Sequence, residues 1–239
     1  MVYLGSLQTL VACKDAAGVA GNIFAFGLFL SPVPTFQRII RNESTEQFSG
    51  LPYIYALLNC LITAWYGLPM ISSDNLLVTT VNSVGAIFQI VYISIFIKYV
   101  EKTGQFKMIG LLFSVFVLFA FISLGSLLIV DFEVRHLTIG FISCASLISM
   151  FASPLFIINL VIRMRSVEFM PFHLSLSMFL MSTSFLLYGI FNFDPFIYVP
   201  NGIGTVLGVL QLLLFLYYKK PSRGDSTEPL IVSYTFTEA

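Results

Sequence analysis

The chain has 239 residues, of which 57% are hydrophobic and 10% are charged, and its mean hydropathy is +0.91. Soluble domains carry about a quarter charged residues, so this composition excludes an ordinary soluble domain. Basic and acidic side chains balance to a formal net charge of zero. No nucleic-acid partner is therefore expected, and the lipid bilayer is the expected surrounding.

Seven apolar segments follow one another along the chain: 16–37, 51–69, 76–97, 108–130, 137–162, 172–190 and 195–218. A bilayer core about 30 Å thick needs roughly 20 apolar residues of helix, and each segment is close to that length. None of them contains Asp, Glu, Lys or Arg. The pattern predicts an all-α membrane protein with seven transmembrane helices.

Positions 31–85 recur at positions 153–204. Ser31-Pro32, Arg41, Ser44, Glu46 and Tyr66-Gly67 return 122 positions later, whereas Asn82 and Gly85 return 119 positions later as Asn201 and Gly204. The second copy has therefore lost three residues between its Tyr-Gly pair and its asparagine. Each copy holds three apolar segments, so the repeat predicts a duplicated three-helix unit, as in transporters with two related halves.

The fourth segment, 108–130, has no counterpart in the repeat and predicts a linker helix. One extra crossing makes the two three-helix bundles parallel, in a 3-1-3 arrangement. The expected domains are an N-terminal tail over 1–15, a first repeat over 16–100, the linker helix, a second repeat over 137–218, and a disordered C-terminal tail over 219–239. The tail composition is polar and charged, which is typical of disorder.

Basic residues divide unequally between the two sides of the predicted bundle. Ten lie in loops on one side, namely Arg38, Arg41, Lys98, Lys102, Lys107, Arg163, Arg165, Lys219, Lys220 and Arg223. Only Lys14 and Arg135 lie on the other. Cytoplasmic loops carry the excess of basic residues, so the sequence predicts an outside N-terminus and a cytoplasmic C-terminus.

Asn82 and Asn201 are the candidate substrate-binding residues. Each shares a helix face with a glycine three residues later, and Gln89 and Gly208 extend those faces. An amide facing hydrocarbon unpaired would cost roughly 2–7 kcal/mol, so we expect both asparagines to face the interior. They could simply join helices, but two at equivalent positions favour a shared binding site.

Facing carboxamides both donate and accept hydrogen bonds, which suits the hydroxyls of an uncharged sugar. The apolar segments contain no carboxylate, and their one side chain that can titrate near neutral pH is His173 at the edge of the sixth, so no proton relay is expected. The sequence therefore predicts a uniporter for a neutral solute.

Prolines mark one side of both repeats. Pro32 and Pro154 lie late in the first and fifth predicted helices, and they favour a hinge because proline interrupts helical hydrogen bonding. Pro52 and Pro171 lie at the starts of the second and sixth helices, where proline is ordinary. On the opposite side, Asp194-Pro195 is typical of a helix N-cap.

A seven-helix receptor and a membrane enzyme are the alternatives to a transporter. A seven-helix receptor has the same number of spans, but it would have no internal repeat, and the third helix lacks an Asp/Glu-Arg-Tyr sequence at its cytoplasmic end. A membrane enzyme would need a nucleophile with its base or a metal-ligand cluster. Three cysteines, Cys13, Cys60 and Cys144, have no metal or redox spacing, and no cofactor or metal is expected.

Several ordered motifs closely resemble those of the plant SWEET sugar transporters. They are Leu30-Ser31-Pro32-Val33-Pro34-Thr35-Phe36, Ser44-Thr45-Glu46-Gln47-Phe48, Leu57-Leu58-Asn59-Cys60, Trp65-Tyr66-Gly67, Ser166-Val167-Glu168-Phe169-Met170-Pro171-Phe172 and Pro200-Asn201-Gly202-Ile203-Gly204. The resemblance covers about residues 15–219. It implies a 3-1-3 fold and bidirectional, proton-independent facilitated diffusion of mono- or disaccharides.

The resemblance also implies roles for single residues. Asn82 and Asn201 would flank the sugar, with Cys60, Thr63 and Phe185 lining the same cavity. Thr63 stands where many members have serine, and Phe185 stands where many have a tryptophan that stacks on the sugar.

The remaining roles that the resemblance implies concern gating. Pro32, Pro52, Pro154 and Pro171 would form an inner-gate tetrad, and Tyr66 and Asp194 an outer-gate pair. Homo- or hetero-oligomers with like chains are also implied. Glucose and sucrose stay open as substrates, and the plasma and vacuolar membranes as locations.

Overall fold

The computed structural model describes residues 2–168 and 170–219, and within these ranges the chain is helical with no strand. The helices are α1 (Val2–Leu30), α2 (Val33–Asn42), α3 (Leu51–Tyr66), α4 (Leu76–Tyr99), α5 (Lys102–Leu127), α6 (Phe132–Met150), α7 (Ala152–Met164), α8 (Phe172–Phe191) and α9 (Pro195–Tyr218). They form seven rods, because α2 continues α1 and α7 continues α6. The predicted all-α fold with seven transmembrane helices is confirmed.

The first and fifth rods are interrupted at equivalent places. The α1 helix ends at Leu30, Pro32 is the N-cap of α2, and Pro154 lies in the first turn of α7. Proline lacks an N–H and clashes with the preceding turn, so a helix cannot pass through it unchanged. The interruption expected at Pro32 and Pro154 is present, and each proline lies at the start of a new helical segment, α2 or α7.

Helix boundaries differ from the sequence expectations at two other places. The α1 helix begins at Val2, so residues 2–15 of the expected tail over 1–15 extend the first rod. This stretch contains neither Gly-Pro nor Asn-Gly breakers, and apolar length marks only the part of a helix that crosses the bilayer core. The linker helix α5 begins at Lys102 for the same reason. From residue 220 onward, the expected C-terminal tail lies outside the described residues.

The internal repeat is visible in the backbone. Glu43 and Arg165 end the helices α2 and α7 in the left-handed conformation, with φ of 47° and 49°. Gly67 and Gly189 are equivalent as well: a Cβ on either would lie 2.8 Å or 2.7 Å from a backbone nitrogen of the next rod. The repeated Tyr-Gly pair therefore allows the second and third rods of each copy to approach closely.

Two triplets of rods surround the centre of the molecule. The first triplet comprises α1–α4 and the second comprises α6–α9. In the first triplet α4 packs between α1 and α3, and in the second α9 packs between α6 and α8. Across the triplets, α1 packs on α8 and α3 packs on α6, while α5 lies outside against α3 and α4. The six rods thus form a closed ring, and we call these two cross-triplet contacts the α1/α8 seam and the α3/α6 seam.

The ring has two different ends. One end carries Tyr66 and Asp194, and we call it the tyrosine end. The other carries the interruptions at Pro32 and Pro154 and most of the basic residues, and we call it the proline end.

Candidate functional site

A cavity of about 270 Å³ lies inside the ring and is lined by both triplets. All five residues predicted to bind substrate lie on its wall: Cys60, Thr63, Asn82, Phe185 and Asn201. The structure therefore brings together residues that are up to 141 positions apart in the chain, from Cys60 to Asn201 (201 − 60). The wall is largely apolar with a few polar groups, which is the usual composition of a small-molecule site.

The two asparagines are held by their own helices. Asn82 Nδ2 donates to the carbonyl of Val78 at 2.9 Å, and Asn201 Nδ2 donates to the carbonyl of Ile197 at 2.8 Å. In each amide the second N–H and the carbonyl oxygen have no hydrogen bond within residues 2–168 and 170–219. Each asparagine therefore presents both a donor and an acceptor to the cavity.

Pro200 lies directly before Asn201 and is buried inside α9. The equivalent position in α4 is Val81, so only the second triplet has a proline here. Proline removes one helical hydrogen bond, which loosens α9 beside the cavity. Sequence analysis assigned Pro200 no role, although it precedes the asparagine in the chain.

Opposite walls of the cavity differ at equivalent positions, because Thr63 and Phe185 are related by the 122-residue repeat. Thr63 Oγ1 accepts a hydrogen bond from Ser143 at 3.2 Å. The Phe185 ring packs on Gly21, where a Cβ would come within 2.7 Å of it. One wall therefore offers a hydroxyl and the other an aromatic ring. Cys60 lies beside Gly85, whose missing side chain leaves room for its sulfur.

Tyr66 and Asp194 are hydrogen-bonded to each other at the tyrosine end. Tyr66 Oη donates to Asp194 Oδ2 at 2.6 Å, and both residues are buried. Asn75 Nδ2 also donates to Asp194 Oδ2, at 2.7 Å. As predicted for an N-cap, Asp194 Oδ1 accepts from the backbone N–H of Phe196. The carboxylate thus has partners from both triplets, which joins them at this end.

Three residues of this network were missed by sequence analysis. A tyrosine hydroxyl has one proton, and Tyr66 gives it to Asp194, so His136 Nε2 donates to the Tyr66 oxygen at 2.8 Å. Asn192 Nδ2 donates to Asn75 Oδ1 at 2.8 Å. Asn75 could have been found from the sequence, because Asp194 is its equivalent at the 119-residue shift. His136 aligns with Lys14, so the repeat gives no signal for it.

The four prolines lie at the opposite end and are not covered by the other triplet. Pro52 and Pro171 are exposed, and Pro32 and Pro154 are half-exposed. Pro52 lies in the first turn of α3, and Pro171 is the N-cap of α8. Nearby, Arg38 pairs with Glu46 at 2.6 Å, and the hydrogen bond from Arg38 lowers the pKa of Glu46. The structure places the four prolines at the same end of the bundle, each at the start of a helix.

The cavity wall carries no formal charge. Among the described residues, no carboxylate, lysine, arginine or histidine side chain lines it. The site can therefore offer hydrogen bonds and an aromatic face, and it would favour a neutral ligand with hydroxyl groups over an ion.

Comparisons with known proteins agree with this geometry. The family described as "Sugar efflux transporter for intercellular exchange" matches residues 15–104 and 137–223, which contain the two repeats. The bidirectional sugar transporter SWEET2 of Arabidopsis thaliana is 65% identical over 227 residues, covering 95% of this chain and 96% of its own length. The bidirectional sugar transporter SWEET2a of Oryza sativa subsp. japonica is 60% identical over 223 residues, covering 93% of this chain and 91% of its own length.

A solved structure of a eukaryotic SWEET transporter is also similar. It matches with a TM-score of 0.87 and 55% sequence identity, covering 88% of this chain and 99% of that chain. The similarity therefore includes both triplets and the linker helix.

Proposed function

Because the chain belongs to the SWEET family of sugar transporters, we propose that it is a uniporter that carries uncharged mono- or disaccharides in both directions without proton coupling. It is a multi-pass membrane transporter and not an enzyme. The single observation that carries the proposal is the uncharged cavity in which Asn82 and Asn201, one from each triplet, present unused amide groups.

Each asparagine would bind sugar hydroxyls from its own side. A hydroxyl both donates and accepts, so it can pair with an amide in two ways, whereas an ion would need an opposite charge on the wall. The Phe185 ring would pack on the apolar face of the sugar, and Thr63 and Cys60 would complete the wall.

Transport would proceed by alternating access, with the triplets rocking about the central site. The network of Tyr66 and Asp194 would be the outer gate, because its hydrogen bonds join the two triplets at that end. The interruptions at Pro32 and Pro154 would let α2 and α7 swing at the inner gate, with Pro52 and Pro171 beside them. The excess of basic residues at the proline end supports a cytoplasmic location for that end.

Tracer flux through purified protein in liposomes tests the proposal. Asn82→Ala or Asn201→Ala should nearly abolish flux of glucose or sucrose, because each removes half of the paired amide site. Ser94→Ala is the matched control, since Ser94 also bonds to the carbonyl four residues earlier on α4 but is absent from the cavity wall. Normal flux in both asparagine variants, with the folded protein present, would refute the assigned site.

Proton coupling is tested in the same liposomes. An imposed pH gradient should not drive sugar accumulation above the external concentration, because no acid or base lines the cavity in the part of the chain described. Uphill, gradient-dependent accumulation would rule out the uniport mechanism.

A further inference from the structure

Gln89 stands out among the polar residues of the cavity wall. It lies on α4, only 8% of its surface is exposed, and it lines the same cavity as Asn82 and Asn201. Its Oε1 is buried and has no hydrogen-bond partner within residues 2–168 and 170–219. A buried side-chain acceptor without a partner is uncommon, because the loss of its hydration is then uncompensated.

The three asparagine amides on the wall each have one hydrogen bond inside the protein. Asn82 and Asn201 each donate to their own helix, and Asn59 Oδ1 accepts from Ser146 at 3.0 Å. Gln89 is thus the one amide of the wall, among the described residues, that has no hydrogen bond to another group of the protein, and a ligand in the cavity could supply one.

Gln89 also has a defined position relative to the asparagine pair. It follows Asn82 by seven residues, which places both on the same face of α4 and separates their backbones by about 10 Å along the helix. Because α4 runs from the tyrosine end to the proline end, Gln89 lies on the proline side of the asparagines.

The second triplet has no equivalent group. The position that corresponds to Gln89 is Gly208, where a Cβ would come within 2.9 Å of the Phe179 backbone. No side chain fits there, so a polar contact at this depth is available from the first triplet alone.

We propose that the Gln89 amide is a further sugar-binding group, which hydrogen bonds to a hydroxyl of the sugar on the proline side of the asparagine pair. The inference rests on the proposed transport of sugars and adds a specificity-determining residue to it. A hydroxyl satisfies the amide in either orientation of the side chain, since it can donate to Oε1 or accept from Nε2.

Gln89→Met tests this role, because methionine has nearly the same length and no amide. The half-saturation concentration for the transported sugar should rise about threefold to tenfold, as expected for one lost neutral hydrogen bond, while the maximal rate is retained. Gln211→Met is the matched control, since Gln211 is a buried glutamine on α9 that is absent from the cavity wall. An unchanged half-saturation concentration in Gln89→Met would overturn the proposal.

Deoxy sugars identify the contact. One deoxy analogue should bind the wild-type protein about as weakly as the parent sugar binds Gln89→Met, and the variant should not discriminate between the two. Equal discrimination by wild-type and variant protein across the whole deoxy series would overturn the proposal. If the wild-type protein neither binds nor moves any sugar, the proposed function itself fails, which distinguishes the two outcomes.

Thermal stability separates a binding role from a structural one. Without sugar, Gln89→Met should be at least as stable as wild-type protein, because the substitution removes an uncompensated buried acceptor. The stabilisation that saturating sugar confers should fall in the variant. A clear loss of stability without sugar would show that the amide supports the fold, and the proposal would then be wrong.

Discussion

The α1/α8 seam and the α3/α6 seam join the same two triplets at equivalent positions, yet their chemistry differs. In the α1/α8 seam, Gly21 receives the ring of Phe185. The equivalent pair in the α3/α6 seam is Ser143 and Thr63, which are joined by a hydrogen bond of 3.2 Å.

The difference continues along both seams. On α3, the side chains of Tyr55, Asn59, Thr63 and Tyr66 bond to Ser149, Ser146, Ser143 and His136 on α6. On α1, Gly18 and Gly21 instead accept aromatic rings of α8.

Glycine contacts bring backbones close and are stabilised by packing, which is lost abruptly when the helices separate. Hydroxyl contacts can exchange their partners for water as a gap opens, so separation at that seam costs less. The duplicated fold therefore has one seam held by close packing on glycine and one seam held by side-chain hydrogen bonds.

The largest expected effect comes from filling the α1/α8 seam. Gly21→Leu should destabilise the protein toward the upper end of about 1–3 kcal/mol, because the new side chain overlaps the Phe185 ring. Gly110→Leu on α5 is the control, since nothing lies within 4 Å of a Cβ there. Thermal unfolding in detergent measures both, and equal stability of the two variants would contradict the close packing assigned to Gly21.

The two equivalent tyrosines give the next largest effect. Tyr66→Phe removes a hydrogen bond to the buried side chain of Asp194. The free energy of unfolding should fall by about 1.5 kcal/mol, because hydrogen bonds to carboxylates contribute more than those between neutral groups. Tyr188→Phe is the matched control, because the Tyr188 hydroxyl donates to the backbone carbonyl of Asp74 at 2.7 Å. Its removal should lower the free energy of unfolding by about 1 kcal/mol.

Access to the cavity provides a second measurement of the same pair. In a background with Cys13 and Cys144 replaced by serine, Cys60 should react faster with an impermeant maleimide added at the tyrosine end in Tyr66→Phe than in Tyr188→Phe. Identical labelling rates would argue against Tyr66 as part of the closure.

A smaller effect is expected within the α3/α6 seam. A double-mutant cycle of Ser143→Ala and Thr63→Val should give a coupling of about 0.6 kcal/mol, the usual worth of an interhelical hydrogen bond in a membrane protein. Ser114→Ala should change stability by less, since Ser114 is exposed and bonds within its own helix. A coupling above about 2 kcal/mol would contradict the modest hydrogen bond expected at this seam.

The smallest effect on stability is expected at the proline end. Pro52→Ala should change the free energy of unfolding by no more than about 0.5 kcal/mol. The N–H groups of a first helical turn have no partner within the helix, so proline interrupts no hydrogen bond there. Pro32→Ala should also be tolerated, but it should slow sugar flux by allowing α1 and α2 to join as one rod. Similar flux in the two variants would contradict the hinge assigned to Pro32.

Some residues of the site could be predicted from the sequence pattern itself, and others only from the family resemblance. Asn82 and Asn201 were found because an amide in an apolar helix is conspicuous and because the repeat supplied the pair. Cys60, Thr63 and Phe185 required the resemblance to the SWEET family, since such residues are ordinary in membrane helices.

The contacts across the triplets could not be read in the same way. Which serine of α6 meets which residue of α3 depends on how far the rods shift along each other, and hydropathy carries no information on that shift. His136 was missed because it lies just outside a predicted span and its repeat equivalent is a lysine.

The unlike walls at Thr63 and Phe185 have a consequence for a chiral ligand. A perfectly two-fold cavity would accept the same molecule in two poses that are related by half a turn and equal in energy. Here a hydroxyl stands on one wall and a phenyl ring at the equivalent place on the other, so two such poses would have unequal energies. The cavity built by the duplication is therefore no longer symmetric, and a ligand with two different ends would bind in one orientation in preference to the other.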